Sequence, residues 1–287
     1  MINYARSIAM FRHVLQRLSM RANKKRVCVI AAAYSTFYAL FLSLPATADD
    51  LSRFRGGIRN SPGERRLNKK QLDAVLASLR DKSGFLEMCF DKDGFLTLGD
   101  QTKFSGGSGA ARALLDAAIK MPHAVELESH TNSSLVAFAR LSKLVIYKRL
   151  SSGKMMNVFP LEIDFSDLSR LRGDKQALAA FDLGFVILHE LGHAAHGLPD
   201  ASGDPHGLGE CEELINRIRR ELNLPERRTY VAHLYSIPNI AFIQGPTKLA
   251  ELVFTRAVEK QGRMQIEKFY LRWEASKVRP ITETPVQ

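Results

Sequence analysis

The stretch ALAAFDLGFVILHELGHAAH, residues 177–196, decides how the rest of the chain is read. It holds no proline, its only breakers are Gly184 and Gly192, and Phe181, Phe185, Leu188 and Ala195 recur at helical spacing. The spacing predicts one helix that carries His189-Glu190-Leu191-Gly192-His193. Residues four apart on a helix stand one above the other, so the two imidazoles converge on one point with Glu190 beside them. Neutral imidazole suits zinc, and a catalytic zinc site keeps one of its four positions for water, whose proton Glu190 can take. The plainer reading is a helix of satisfied core histidines, or of histidines solvated on an outer face.

A third protein ligand has to come from elsewhere. Gly207-Leu208-Gly209 followed by Glu210-Cys211-Glu212-Glu213 predicts the start of the next helix and supplies the candidates. Glu212 and Asn216 stand at i,i+4, so the carboxylate of Glu212 would bind the metal while the Asn216 amide orients a ligating histidine. Glu213 is the competitor, one of the two being expected. The alternative is that these acids only complement the dipole of a helix that ends in Arg217, Arg219 and Arg220. His196, His206 and Cys211 rank below the glutamates, Cys211 being a soft ligand. Peptide hydrolysis also needs a donor for the oxyanion, and Pro225-Glu226-Arg227-Arg228-Thr229-Tyr230 offers Arg227 and Tyr230, unless it is a solvated loop.

Upstream, Asn68 is placed to cap a helix through Arg80, and residues 85–98 alternate around Asp91-Lys92-Asp93-Gly94, a hairpin signal rather than a calcium loop. Ser105-Gly106-Gly107-Ser108-Gly109 opens a helix through Ile119, and it lacks the Lys-Ser/Thr of a phosphate-binding loop. Strands are expected within 125–147 and over 158–165, just before the metal-binding helix. Residues 49–70, broken by Gly56-Gly57 and Ser61-Pro62-Gly63, read as a linker into a domain spanning 71–287. The tail after Lys248 is expected to be helical.

The first 48 residues have the order of a secretory signal: Lys24-Lys25-Arg26, the apolar run 27–44, Pro45, and the small-residue site Ala46-Thr47-Ala48. The apolar run also approaches the length of a membrane span, so an uncleaved anchor is the alternative. Translation from Met20 would remove an unusual leader. The expected location is secreted, with a periplasmic or anchored protein as the alternative. Seven basic residues and no acid fall in this segment, so the formal charge of +11 drops to +4 without it. The remaining basic pairs, such as Arg65-Arg66 and Lys69-Lys70, are scattered, which argues against a nucleic-acid partner. Cys89 and Cys211 either pair or remain two buried thiols.

Taken together, His189-Glu190-x-x-His193 followed by Asn216-x-Ile218-Arg219-x-Glu221-Leu222-x-Leu224-Pro225-x-Arg227-x-x-Tyr230 resembles the effector-type zinc metallopeptidases typified by the NleD and HopH effectors of pathogenic bacteria. The match covers residues 159–235 and includes the Phe181-Asp182-Leu183-Gly184 approach to the motif. That family is similar in its site to clostridial neurotoxin light chains, where an Arg-x-x-Tyr pair stabilises the transition state and a Glu of a Glu-Glu pair completes the zinc site. The resemblance implies a virulence effector, delivered into host cells, that cleaves a selective host protein such as a signalling kinase. This chain departs from the pattern twice. It has a compact acidic cluster at 210–213 where the family has a longer Glu-Glu-x-Arg-Thr-x-Gly segment, and a hydrophobic N-terminal segment where such effectors have a disordered one.

The expected architecture is an α+β zincin, with a small mixed sheet beside the metal-binding helix, a second helix carrying the third ligand, and extended substrate along the sheet edge. The expected function is a secreted zinc endopeptidase acting on a protein or peptide. Two other classes stay open: a membrane-anchored binding protein in which zinc is only structural, and a catalytically dead scaffold with a blocked cleft.

Overall fold

The computed structural model describes residues 55–143, 146–149, 155–201, 207–237 and 247–278, all within the compact unit Arg53–Gln287. The targeting segment, its apolar run and His206 lie outside the described residues. Among the described residues no helix is long and apolar enough to cross a membrane.

The fold is mixed α+β. Its first half runs β1 (Gly57–Asn60), α1 (Lys69–Ser83), β2 (Cys89–Phe90), β3 (Leu96–Thr97), α2 (Gly109–Ile119), β4 (Ala124–Ser129), β5 (Ala139–Leu141), β6 (Ile146–Arg149) and β7 (Met155–Ile163). The second half runs α3 (Phe165–Arg170), β8 (Arg172–Gly173), α4 (Lys175–Ala179), α5 (Leu183–His196), α6 (Gly209–Glu221), β9 (Glu226–Arg227), β10 (His233–Ile237), β11 (Thr247–Lys260) and β12 (Arg263–Glu274). Strands β1, β4 and β7 are parallel neighbours, and β5 and β6 each pair antiparallel with β7. This is the expected mixed sheet, with β5 on its edge. A second, antiparallel sheet has the order β10-β11-β12-β8, with β9 added to β11.

Several local expectations hold for stated physical reasons. Asn68 and Gln71 form a reciprocal capping box at the start of α1, which runs on to Ser83. Ser108 caps α2 by accepting from Ala111 N. The hairpin β2–β3 turns where Asp91 Oδ1 accepts the N–H groups of Asp93 and Phe95.

Four expectations are corrected. Residues 55–70 are not a linker: β1 pairs with β4, and Ile58 and Leu67 are buried in the main core. The predicted single helix over 177–196 is two helices, because Asp182 leaves the helical conformation and caps α5 by accepting from Phe185 N. The strand over 158–165 does not lead directly into α5, since α3, β8 and α4 intervene. The tail after Lys248 is not helical. It is the long hairpin β11–β12, in which Ala250, Leu252 and Phe254 alternate inward.

Helix α5 lies between two cores. Phe185, Ile187, Leu188 and Leu191 belong to the core shared with α1, α2, α6 and the mixed sheet, while Val186 packs with Phe138, Phe181, Phe254 and Trp273 against the second sheet. Phe138 joins the latter group edge-on to Phe181 at 5.1 Å and to Trp273 at 5.3 Å. Each such buried side chain stabilises by about 1.5–3 kcal/mol relative to exposure. The apolar faces of α5 therefore set its orientation, whatever its polar residues bind.

Candidate metal centre

The two histidines of α5 do converge. His193 Nε2 stands 3.2 Å from His189 Nε2, with the rings nearly perpendicular. His193 turns its other nitrogen to a protein acceptor, whereas the buried Nδ1 of His189 has no hydrogen-bond partner among the described residues. His193 Nδ1 lies 2.5 Å from the carbonyl of Leu198, and His189 Nδ1 lies 3.3 Å from Glu212 Oε2. The Leu198 contact makes Nδ1 of His193 the donor to the backbone, so Nε2 is the nitrogen that an ion could take once its proton is displaced.

A carboxylate faces those nitrogens. Asp200 Oδ1 is 3.0 Å from His189 Nε2 and 3.3 Å from His193 Nε2. The Tyr230 ring stacks on His189 at 6.0 Å and lines the same cleft as Asp200. Cys211 Sγ lies within 4.8 Å of a nitrogen of each histidine, and it donates to the His189 carbonyl at 3.1 Å. Burial disfavours a charged His193, but its contacts with Asp200 and Cys211 outweigh that and raise its pKa to about 10. The same histidines hold Asp200 well below the usual carboxylate range, against its partial burial. The donor set of imidazole nitrogen and carboxylate oxygen fits zinc. A bound cation would take the place that protons hold between these groups.

Glu190 points into the same cleft, which has a volume of about 880 Å³. Its Oε2 accepts the N–H of Leu141 at 2.7 Å. Phe138 O and Ser142 N bond toward β7, so the N–H of Leu141 faces the opposite way, out of the sheet edge. Burial raises the Glu190 carboxyl above its ordinary pKa, against the pull of His189 and His193. A carboxylate moved toward neutrality is a better match to proton transfer near pH 7.

Behind His189 lies a buried ion network. Glu212 is contacted by Arg219 Nη1 at 2.5 Å on Oε1 and by Arg227 Nη1 at 3.1 Å on Oε2. Arg219 also donates to the carbonyl of Ala180 and to Asn216 Oδ1. The Asn216 amide pairs with the backbone of Arg227 in both directions, at 2.8 and 2.9 Å. These bonds tie β9 and the segment that follows it to α6.

The predicted site residues are thus placed as follows. His189, Glu190, His193, Glu212, Arg227 and Tyr230 all line one cleft. Glu212 is beside His189 but on its Nδ1 side, away from the converging Nε2 atoms. Glu213 is exposed and lines a separate depression with Arg228, so it does not face the histidines. Asn216 does not orient a histidine, because its amide is used on Arg227. Arg227 lines the same cleft but is 4% exposed, and it donates to Glu212 and to the carbonyls of Thr229 and Tyr230. His196 is exposed, and both cysteines are free, Cys89 exposed and Cys211 buried.

Sequence reasoning missed Asp200 and the backbone of Leu141. Asp200 had a signal: Gly197 and Pro199 mark a turn just after the motif, which sends the next acid back toward the helix. A backbone N–H leaves no trace in residue identity. No family model, no curated protein and no solved structure matches the chain.

Proposed function

We propose that this chain is a zinc-dependent endopeptidase of zincin-like architecture, secreted, and acting on a protein substrate. The observation that carries the reading is the pair of Nε2 atoms 3.2 Å apart, with His193 anchored through Nδ1, opening on a cleft that also holds Glu190. Donors bound to a tetrahedral ion at about 2.0–2.1 Å stand about 3.3 Å apart, so the spacing suits a shared zinc. The motif resemblance extends the proposal to a virulence effector that cleaves a selective host protein.

Zinc, when bound here by His189 and His193, supplies acidification of a water and polarisation of a carbonyl. The chain's own residues do the rest. Extended substrate lies along the outer edge of β5. With Oε2 of Glu190 held by Leu141, Oε1 accepts the proton of the attacking water and passes it to the leaving amine. Tyr230 lines the same cleft and is the donor available to a developing oxyanion, while Arg227 holds the Tyr230 segment in place.

The second reading is a closed structural zinc in a binding protein, favoured by the nearness of Cys211 to both histidines. A peptide library incubated with the zinc-loaded full chain, with and without chelator, separates the two. Cleavage that chelator stops, and that Glu190→Gln lowers by about 10²–10⁴-fold at unchanged zinc content, is the expected result. One zinc per chain without any cleavage would leave the structural reading.

A further inference from the structure

We infer that Asp200 is the third protein ligand of this centre, with Glu212 beside the opposite nitrogen of His189 and Cys211 outside the ligand set. The inference rests on the zinc reading above and replaces the glutamate that the motif resemblance implies. His189 Nε2, His193 Nε2 and Asp200 Oδ1 form a triangle with sides of 3.0, 3.2 and 3.3 Å. That is one face of a tetrahedron with bonds of about 2.0–2.1 Å, and it leaves the fourth corner open.

Charge separates the two carboxylates. Glu212 already faces Arg219 and Arg227, both buried, so a zinc ion placed on it would set a third cation against one carboxylate. Asp200 is met instead by two imidazole nitrogens, whose protons a cation can replace. Its side chain is 39% exposed, which gives the ion a path from the cleft.

The loop that delivers Asp200 is fastened at three successive residues. The carbonyl of Leu198 contacts His193 Nδ1, the carbonyl of Pro199 accepts from Cys211 N at 3.2 Å, and the backbone of Asp200 lies against Gly209. A Cβ on Gly209 would stand 2.4 Å from the Asp200 carbonyl carbon, so this contact needs glycine. Cys211 reaches the centre from below: its thiol is given to the His189 carbonyl and sits against Gly192, whose added Cβ would be 2.8 Å from Sγ.

The test is zinc affinity of the full chain, measured by competition with a chromophoric chelator, together with the absorption spectrum of the cobalt(II) form. Asp200→Ala and the near-isosteric Asp200→Asn should each weaken zinc by more than about 100-fold, beyond the 10–100-fold expected of a group outside the ligand set, with circular dichroism unchanged. Glu212→Gln should fall within that 10–100-fold range. The cobalt form should show no thiolate charge-transfer band. Wild-type affinity in both Asp200 variants, or a thiolate band lost in Cys211→Ser, overturns the inference while leaving a zinc protein. A wild-type chain that takes up no zinc defeats the zinc peptidase reading itself.

Discussion

Asp200 and Glu212 stand on opposite nitrogens of one imidazole, and the contrast between them separates what the proposed metal centre needs from what the fold needs. Glu212 comes from α6, is 2% exposed, and is neutralised by two guanidinium groups. Asp200 comes from the loop between α5 and α6, is partly open to the cleft, and has no guanidinium or ammonium partner among the described residues. Removing a charge from a paired, buried network leaves its partners stranded, whereas removing a ligand at the surface of a cleft leaves the scaffold whole. The two sites should therefore fail in different ways.

The largest expected effect breaks the inner side. Glu212→Ala leaves Arg219 and Arg227 buried without their carboxylate, which costs about 3–5 kcal/mol of stability. Denaturant unfolding of the zinc-free protein measures it, and Asp200→Ala under the same conditions should cost less than Glu212→Ala. Equal losses from the two substitutions would erase the distinction drawn here.

How much of this was legible in the sequence follows from the same contrast. The converging histidines, the hairpin at Asp91 and the helix caps at Asn68 and Ser108 were readable because local spacing and short-range hydrogen bonds produce them. The choice between acids was not, since it depends on which side of His189 each one reaches and on arginines brought up by packing. Arg227 shows the same limit: its side chain type suits oxyanion binding, but its Nε, Nη1 and Nη2 each already donate within the protein, to Thr229, Glu212 and Tyr230. The hairpin β11–β12 was legible and overlooked. Ala250, Leu252 and Phe254 alternate, and Gln261-Gly262, both at positive φ, form the two-residue turn that such hairpins favour.

A third carboxylate sharpens the comparison through pH. Asp167 is buried beside Phe138, and its burial raises its pKa to about 6, against hydrogen bonds from Phe138 N and Arg170. The folded chain thus holds this proton more tightly than the unfolded chain does. Its contribution favours the folded state below pH 4 and declines as pH rises from about 4 to 6, by at most about 3 kcal/mol. Glu212 has the opposite sign, because the arginines overcome its burial and hold its pKa below the ordinary value. Its contribution is present above about pH 4.5 and is lost as pH falls further. Stability measured in urea at pH 4, 5 and 6 should decline less steeply in Asp167→Asn than in the wild type. An unchanged slope would show that Asp167 is not the group responsible.

The smallest effect tests how the Asp200 loop is held. Gly197 ends α5 at φ 64°, and a Cβ added there meets nothing within 4 Å, so Gly197→Ala carries only the strain of the left-handed conformation. That strain is about 1 kcal/mol. Because Leu198, Pro199 and Asp200 are each fastened to α5 or α6, the turn should persist and absorb the strain as lost stability, with zinc affinity changed by less than about tenfold. A stability loss near 1 kcal/mol with the affinity kept would mean that the packed contacts hold Asp200 in place. A collapse of affinity without loss of stability would mean that the glycine turn alone does so, and that the loop is a weaker support for a ligand than α6 is for Glu212.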